Sequence, residues 1–207
     1  MTTADFEELL KVLDVTQVDD NTFTGGHPSR NPVRTFGGQM MAQAFVAASR
    51  TVPPKLPPTT LSTHFIAGGD PERDLEFKVV RLRDERRFAN RRVDVMQGDT
   101  LLATALVSHL AGGKSLEHAV KAPAVPDPLS LPTIDDLLKG YEETVPLFVE
   151  ALKPIEWRYT NDPAWVMRDK GGKLDHNRVW LKTMGAMPDD QVLHAAALVC
   201  SSDTTRS

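Results

Sequence analysis

At 207 residues, with 41% apolar and 25% charged side chains, the chain is long enough for one domain or two small ones and too apolar to be disordered. A net charge of −4 excludes a general attraction to nucleic acid, although local basic clusters remain possible sites. The single cysteine, Cys200, excludes an internal disulfide, and the acidic start MTTADFEELLKVL is not a secretion signal, so a cytoplasmic protein is expected.

In chain order, Ala4 to Leu13 places Phe6, Leu9, Leu10 and Leu13 at helical spacing and predicts a short amphipathic helix. TQVDDNTFTGG follows as a short strand. The stretch TFGGQMMAQAFVAAS then sets a Gly-Gly turn before a helix with no exposed face: from Met40 to Ser49 only Gln43 and Ser49 are polar. A helix apolar all round is buried all round or lies in a membrane, and this run is far short of the roughly 18 residues a span needs. Something else in the chain must wrap it. TVPPKLPP ends it, because proline cannot continue a helix.

Four strands are predicted next, at Thr59 to Ala67, Asp74 to Arg83, Arg87 to Met96 and Thr100 to Leu110, with QGD as a tight hairpin between the last two. Leu75, Phe77, Val79 and Arg81 share one face of the second. In the third, Phe88, Asn90 and Arg92 alternate with Ala89, Arg91, Val93 and Val95. That is an antiparallel sheet with one dry face. An α+β hotdog fold, five or six strands curled around one long apolar helix, explains the missing polar face; periodicity alone also allows other α+β packings.

KAPAVPDPLSLP (Lys121 to Pro132) reads as a surface linker, and TIDDLLKGYEETVPLFVEAL as a helix with Asp135 and Asp136 in its first turn. IEWRYT and NRVWLKTM read as strands. PDDQVLHAAALVCSSD is a second nearly all-apolar helix, with Asp189 and Asp190 as caps. GGQMMAQAFVAAS and DDQVLHAAALVCS share the glutamine, the alanine-rich middle and the closing serine, which implies two copies of one fold. The expected organisation is a hotdog unit at 1–120, a linker and connecting helix at 121–150, and the start of a second, incomplete hotdog at 151–207.

FGGQMMAQA, THFIAGGDP, LRDERRFANRRVDVMQGD, NRVWLK, MPDD and HAAALVCSSD run in the order and spacing of one family. On these motifs the chain resembles bacterial acyl-CoA thioesterase II (TesB-like) and its peroxisomal counterparts, two hotdog units fused in one chain. It departs at Glu85, where the family has a turn glycine, at Arg87, where a small residue is common, and at AGGD in place of RPGD. The resemblance implies hydrolysis of fatty acyl-CoA to a free acid and coenzyme A, with acyl-CoA as partner, a homo-oligomer, and no cofactor, metal, nucleic acid or membrane. The family's catalytic set is an acidic residue, a hydroxyl residue and a glutamine. The first matches Asp203; the other two fall beyond residue 207, so a fragment completed elsewhere, or dependence on partner subunits, is expected.

Thioester hydrolysis needs a nucleophile and a charge stabiliser. No G-x-S-x-G elbow occurs, and Cys200 in its apolar run reads as an inert core thiol. A carboxylate that orients water remains, with Asp203 as candidate; residue type alone would make it a helix-end aspartate. Gly37, Gly38 and Gln39 open the first buried helix, whose free amides suit a carbonyl or phosphate, although Gln39 and Gln43 also read as structural. Arg91 and Arg92 belong to a basic cluster with Arg81, Arg83, Arg86 and Arg87 that suits a coenzyme A phosphate or, alternatively, is a solvated hairpin paired with Asp84 and Glu85. The six histidines make no dense metal motif, and His194 reads as packing or a helix hydrogen bond. The alternative to an enzyme is a truncated, catalytically silent module for acyl-CoA binding or assembly.

Overall fold

The computed structural model describes residues 3–28, 34–114, 116–140, 154–163, 166–167, 170–173 and 176–203. Helix α1, Thr3–Leu13, buries Phe6, Leu9 and Leu13 along one stripe. The single strand expected after it resolves into a hairpin, β1 (Thr16–Gln17) and β2 (Thr22–Gly25). The reason lies in the acidic turn: the Asp19 carboxylate accepts from the Asn21 amide at 2.8 Å and reverses the chain.

Helix α2 spans Gly37–Arg50, and every side chain from Gly38 to Ser49 except Met41 is buried. The sheet beneath it joins β1 and β2 to β3 (Pro58–Phe65), β4 (Leu75–Asp84), β5 (Phe88–Gln97) and β6 (Thr100–Leu110), antiparallel in the order β1-β2-β4-β5-β6-β3. Leu75, Phe77 and Val79 of β4 and Ala89, Arg91, Val93 and Val95 of β5 face the helix. Arg81 follows the same alternation, but a register irregularity between Arg81 and Arg83 carries it off the end of the core. It is exposed and donates to Asn21 Oδ1 at 2.8 Å. The β5–β6 turn needs its glycine, since Gly98 has φ of 58°.

The proline-rich stretch after β6 has one short 3₁₀ turn, Pro128–Ser130. The connecting helix begins as α3, Ile134–Leu137, closed by a capping box between Thr133 and Asp136. The chain leaves the helix at 138–140, where Gly140 has φ of 86°, and the rest of the predicted stretch, 141–152, lies outside the described residues. Strands β7 (Ile155–Tyr159) and β8 (Val179–Thr183) pair antiparallel in a sheet of their own. Helix α4, Gln191–Ser202, is capped by Asp190, whose Oδ1 accepts from the Val192 amide at 2.8 Å.

One apolar core runs through both halves, from Phe23, Phe77 and Val93 to Trp157, Ala196 and Cys200. The two apolar helices are covered unequally. Of α4 only Ala196, Ala197, Cys200 and Ser201 are buried, and Leu198 is 64% exposed. Its dry side lies against α2, α1 also touches it, and among the described residues the two-stranded sheet β7–β8 borders its other side.

Candidate active site

Helix α2 starts without a side-chain cap. Its N-cap is Phe36, which has no oxygen to offer, so the first amides of the helix are left to other acceptors. The helix dipole adds a partial positive charge there. Helix α4 runs antiparallel to α2 and brings its last turn to this spot. A methyl group on Gly38 would run into the backbone carbonyl of Cys200 and the ring of Phe36. A methyl group on Gly37 would sit 2.5 Å from Asp203 Oδ2 and 3.0 Å from Phe65 Cζ. The Asp203 carboxylate therefore lies directly over Gly37, where only a glycine leaves it room. The two glycines of TFGGQ are the condition for the helices to meet so closely.

Cys200 is next to this carboxylate but does not act as a nucleophile. Burial, helped by the negative charge of Asp203, pushes its thiol up to about 12, so it stays protonated. Gln39 contributes its backbone only. Its side chain turns inward, is buried, and donates from Nε2 to the Gly26 carbonyl at 2.9 Å and to His27 Nδ1 at 3.1 Å. Gln43 lies below it and ties α2 to α1 through the Val12 carbonyl at 2.7 Å. His27 donates from Nε2 to the Arg73 carbonyl at 2.8 Å, which leaves Nδ1 as the acceptor for Gln39. Both glutamines are thus engaged in holding loops to the helix.

Arg91 and Arg92 face opposite sides of β5. Arg91 is 1% exposed, and its five donors go to Thr51 Oγ1, the carbonyls of Thr51, Arg83 and Asn90, and Asp84 Oδ1. It is a fastener at the far end of α2, with no donor left for a ligand. Arg92 is on the outer face, paired with Asp94 at 3.2 Å. His194 donates from Nε2 to the Pro188 carbonyl at 2.9 Å. Among the described residues no group of His, Cys, Asp and Glu is arranged to hold a metal ion. Phe65 is the residue near Gly37 that sequence reasoning missed; its one signal was an aromatic at the end of a strand, on the side it shares with Leu61 and Thr63.

Residues 27–110 match the family described as acyl-CoA thioesterase N-terminal domain, and residues 148–206 match acyl-CoA thioesterase. The chain is 28% identical to acyl-CoA thioesterase 2 of Haemophilus influenzae over 94% of its own length and 69% of that protein's. It superposes on the tesB protein of Mycobacterium avium subs paratuberculosis with a TM-score of 0.76 and 26% identity, covering 97% of this chain and 70% of that one. This chain belongs to the acyl-CoA thioesterase II family. It is also 34% identical to peroxisomal acyl-coenzyme A thioester hydrolase 1 of Saccharomyces cerevisiae, over 53% of its own length but only 32% of that protein's. The chain thus spans about a third of the yeast relative and about two thirds of the bacterial ones.

In this acyl-CoA thioesterase II chain the site is composite. Gly37 and Phe65 come from the stretch matching the N-terminal domain, and Asp203 from the stretch matching the second. The opposite ends of α2 and α4 meet as well, around a cavity of about 540 Å³ walled by Val46, Val52, Pro53, Pro57 and Leu193. That end is not a second copy of the arrangement around Gly37 and Asp203. There the amides of Val192 and Leu193 are already taken by Asp190, so no bare helix start is left to polarise a carbonyl.

Proposed function

We propose that this chain carries the water-activating end of an acyl-CoA thioesterase, which releases a free fatty acid and coenzyme A. One observation carries the reading: an ionisable carboxylate, Asp203, sits over Gly37 beside an uncapped helix start. A thioester whose carbonyl oxygen accepts from the amides of Gly38 and Gln39 has its carbon between those donors and Asp203. Asp203 holds a water and takes one proton as the water oxygen attacks that carbon, while the amides stabilise the oxyanion. Collapse of the intermediate breaks the carbon–sulfur bond. The proton on Asp203 then goes to the departing thiolate.

In the family that this chain resembles, a hydroxyl residue and a glutamine are further holders of the water. Arg92 and the exposed arginines of the β4–β5 hairpin are the groups left for the phosphates of coenzyme A, since Arg91 is committed to its own chain. We place the unit boundaries at 1–120, 121–150 and 151–207, the working state as a homo-oligomer and the compartment as cytoplasm, in fatty acid metabolism. Thiol release from a panel of acyl-CoAs tests the reaction. Asp203→Asn is expected to lower the rate by about 10²- to 10⁴-fold, the range for removal of a general base. Equal rates for wild type and variant remove Asp203 from the mechanism.

The half-covered surface of α4 favours a second reading, a module that binds acyl-CoA without hydrolysing it. Its signature is acyl-CoA binding with no turnover by either protein.

A further inference from the structure

Phe65 ends β3 and is 41% exposed. It shares a side of β3 with Leu61 and Thr63, opposite Ala103, but stands outside the buried core and keeps part of its ring open. Its atoms nearest to Gly37 are Cζ at 3.0 Å and Cε1 at 3.2 Å from the position a Cβ would take, with Asp203 Oδ2 at 2.5 Å from the same point. The ring therefore points its tip at the carboxylate and the helix start. An aromatic edge is electropositive and tolerates a carboxylate oxygen, whereas its face is apolar.

We propose that Phe65 is the specificity-determining wall of the site, the surface on which the first carbons of the acyl chain pack as the thioester carbonyl meets α2. The assignment rests on the thioesterase reading above. With the helix start and Asp203 on the other flanks, a chain leaving the carbonyl carbon crosses this ring. Its contribution is apolar contact, so shape and hydrophobicity matter and aromaticity does not.

Isothermal titration of the 207-residue chain with a dodecyl thioether of coenzyme A, which cannot be hydrolysed, and with coenzyme A alone tests the proposal. Phe65→Ala should weaken the thioether about tenfold, as expected for losing most of one buried ring contact, and leave coenzyme A unchanged. Phe65→Leu should stay within about threefold of wild type, because it keeps the apolar surface. Leu110→Ala, an exposed apolar residue on β6, should change nothing. If Phe65→Ala fails to fold, Phe65→Gln should show the same tenfold loss. Unchanged thioether affinity in Phe65→Ala or Phe65→Gln overturns the assignment and leaves the thioesterase reading standing. An equal loss for coenzyme A, or for Leu110→Ala, overturns it too. No thioether binding by wild type defeats the thioesterase reading and this assignment with it.

Discussion

A methyl group added at Gly37 and one added at Gly38 meet different kinds of atom, and the difference separates chemistry from folding. At Gly37 the obstacle is the far end of the Asp203 side chain, which a change of rotamer moves without shifting backbone. Gly37→Ala should therefore keep the melting temperature within a few degrees while thiol release falls at least about tenfold, as expected for a misplaced base. At Gly38 the obstacle is the Cys200 backbone carbonyl, which does not yield without moving α4. Overpacking there should cost about 1–3 kcal/mol, more than the roughly 1 kcal/mol a helical glycine-to-alanine change returns. Thermal melts and acyl-CoA assays on the two variants check the contrast. The glycine pair was legible in the residues as a helix opening. What it left room for was not, because Asp203 comes from the other end of the chain.

Among the elements, α2 is held at both ends by polar groups that apolar patterning does not register. Arg91 occupies a core-facing position of β5 and binds the Thr51 carbonyl and hydroxyl just past the end of α2. Arg91→Met should cost about 3 kcal/mol in a urea melt, because buried carbonyls lose their donors while the half-exposed Asp84 is rehydrated. Beside it, His109 is fully buried with Nε2 at 3.2 Å from Ser49 Oγ. Burial first, and the Arg91 charge second, hold its pKa down at about 4 against an ordinary 6.5. The unfolded chain thus takes up the proton first as pH falls. His109 adds stability above pH 6.5 that is lost progressively toward pH 4, about 3 kcal/mol in all. Urea midpoints at pH 7.5, 5.5 and 4.5 should fall steeply for wild type and much less for His109→Gln. Strand limits in this half agreed with the alternation to within about two residues, because a sheet with one dry face writes its period directly into the chain. The same alternation placed Arg91 inward, yet residue type alone suggested a phosphate ligand; only the satisfied guanidinium decides otherwise.

For the whole molecule, the outer side of α4 is the unfinished surface. Leu198 projects there at 64% exposure, beside a cavity of about 370 Å³ bounded by Ile155, Leu181, Met187 and His194. Among the described residues β7 and β8 pair only with each other, which leaves each with an edge that no described strand covers. Apolar surface and open strands of this kind favour association. The 207-residue chain is expected to elute from gel filtration ahead of a monomer, with the position depending on concentration. Leu198→Lys should shift it toward the monomer. A compact wild-type monomer at every concentration contradicts this.

By itself the sequence determined that the helix after the Gly-Gly turn must be buried, that five or six strands curl under it, and that Cys200 is a core thiol, because burial and strand period depend on local spacing. The second apolar helix, expected to be wrapped in the same way, is buried only along one side. The internal repeat also showed that the helices correspond. Tertiary structure alone decided that they run antiparallel in close contact, bringing Asp203 to a helix start with Phe65 alongside and leaving Asp190 to close the opposite end. Long-range juxtaposition has no local period, so no spacing along the chain encodes it.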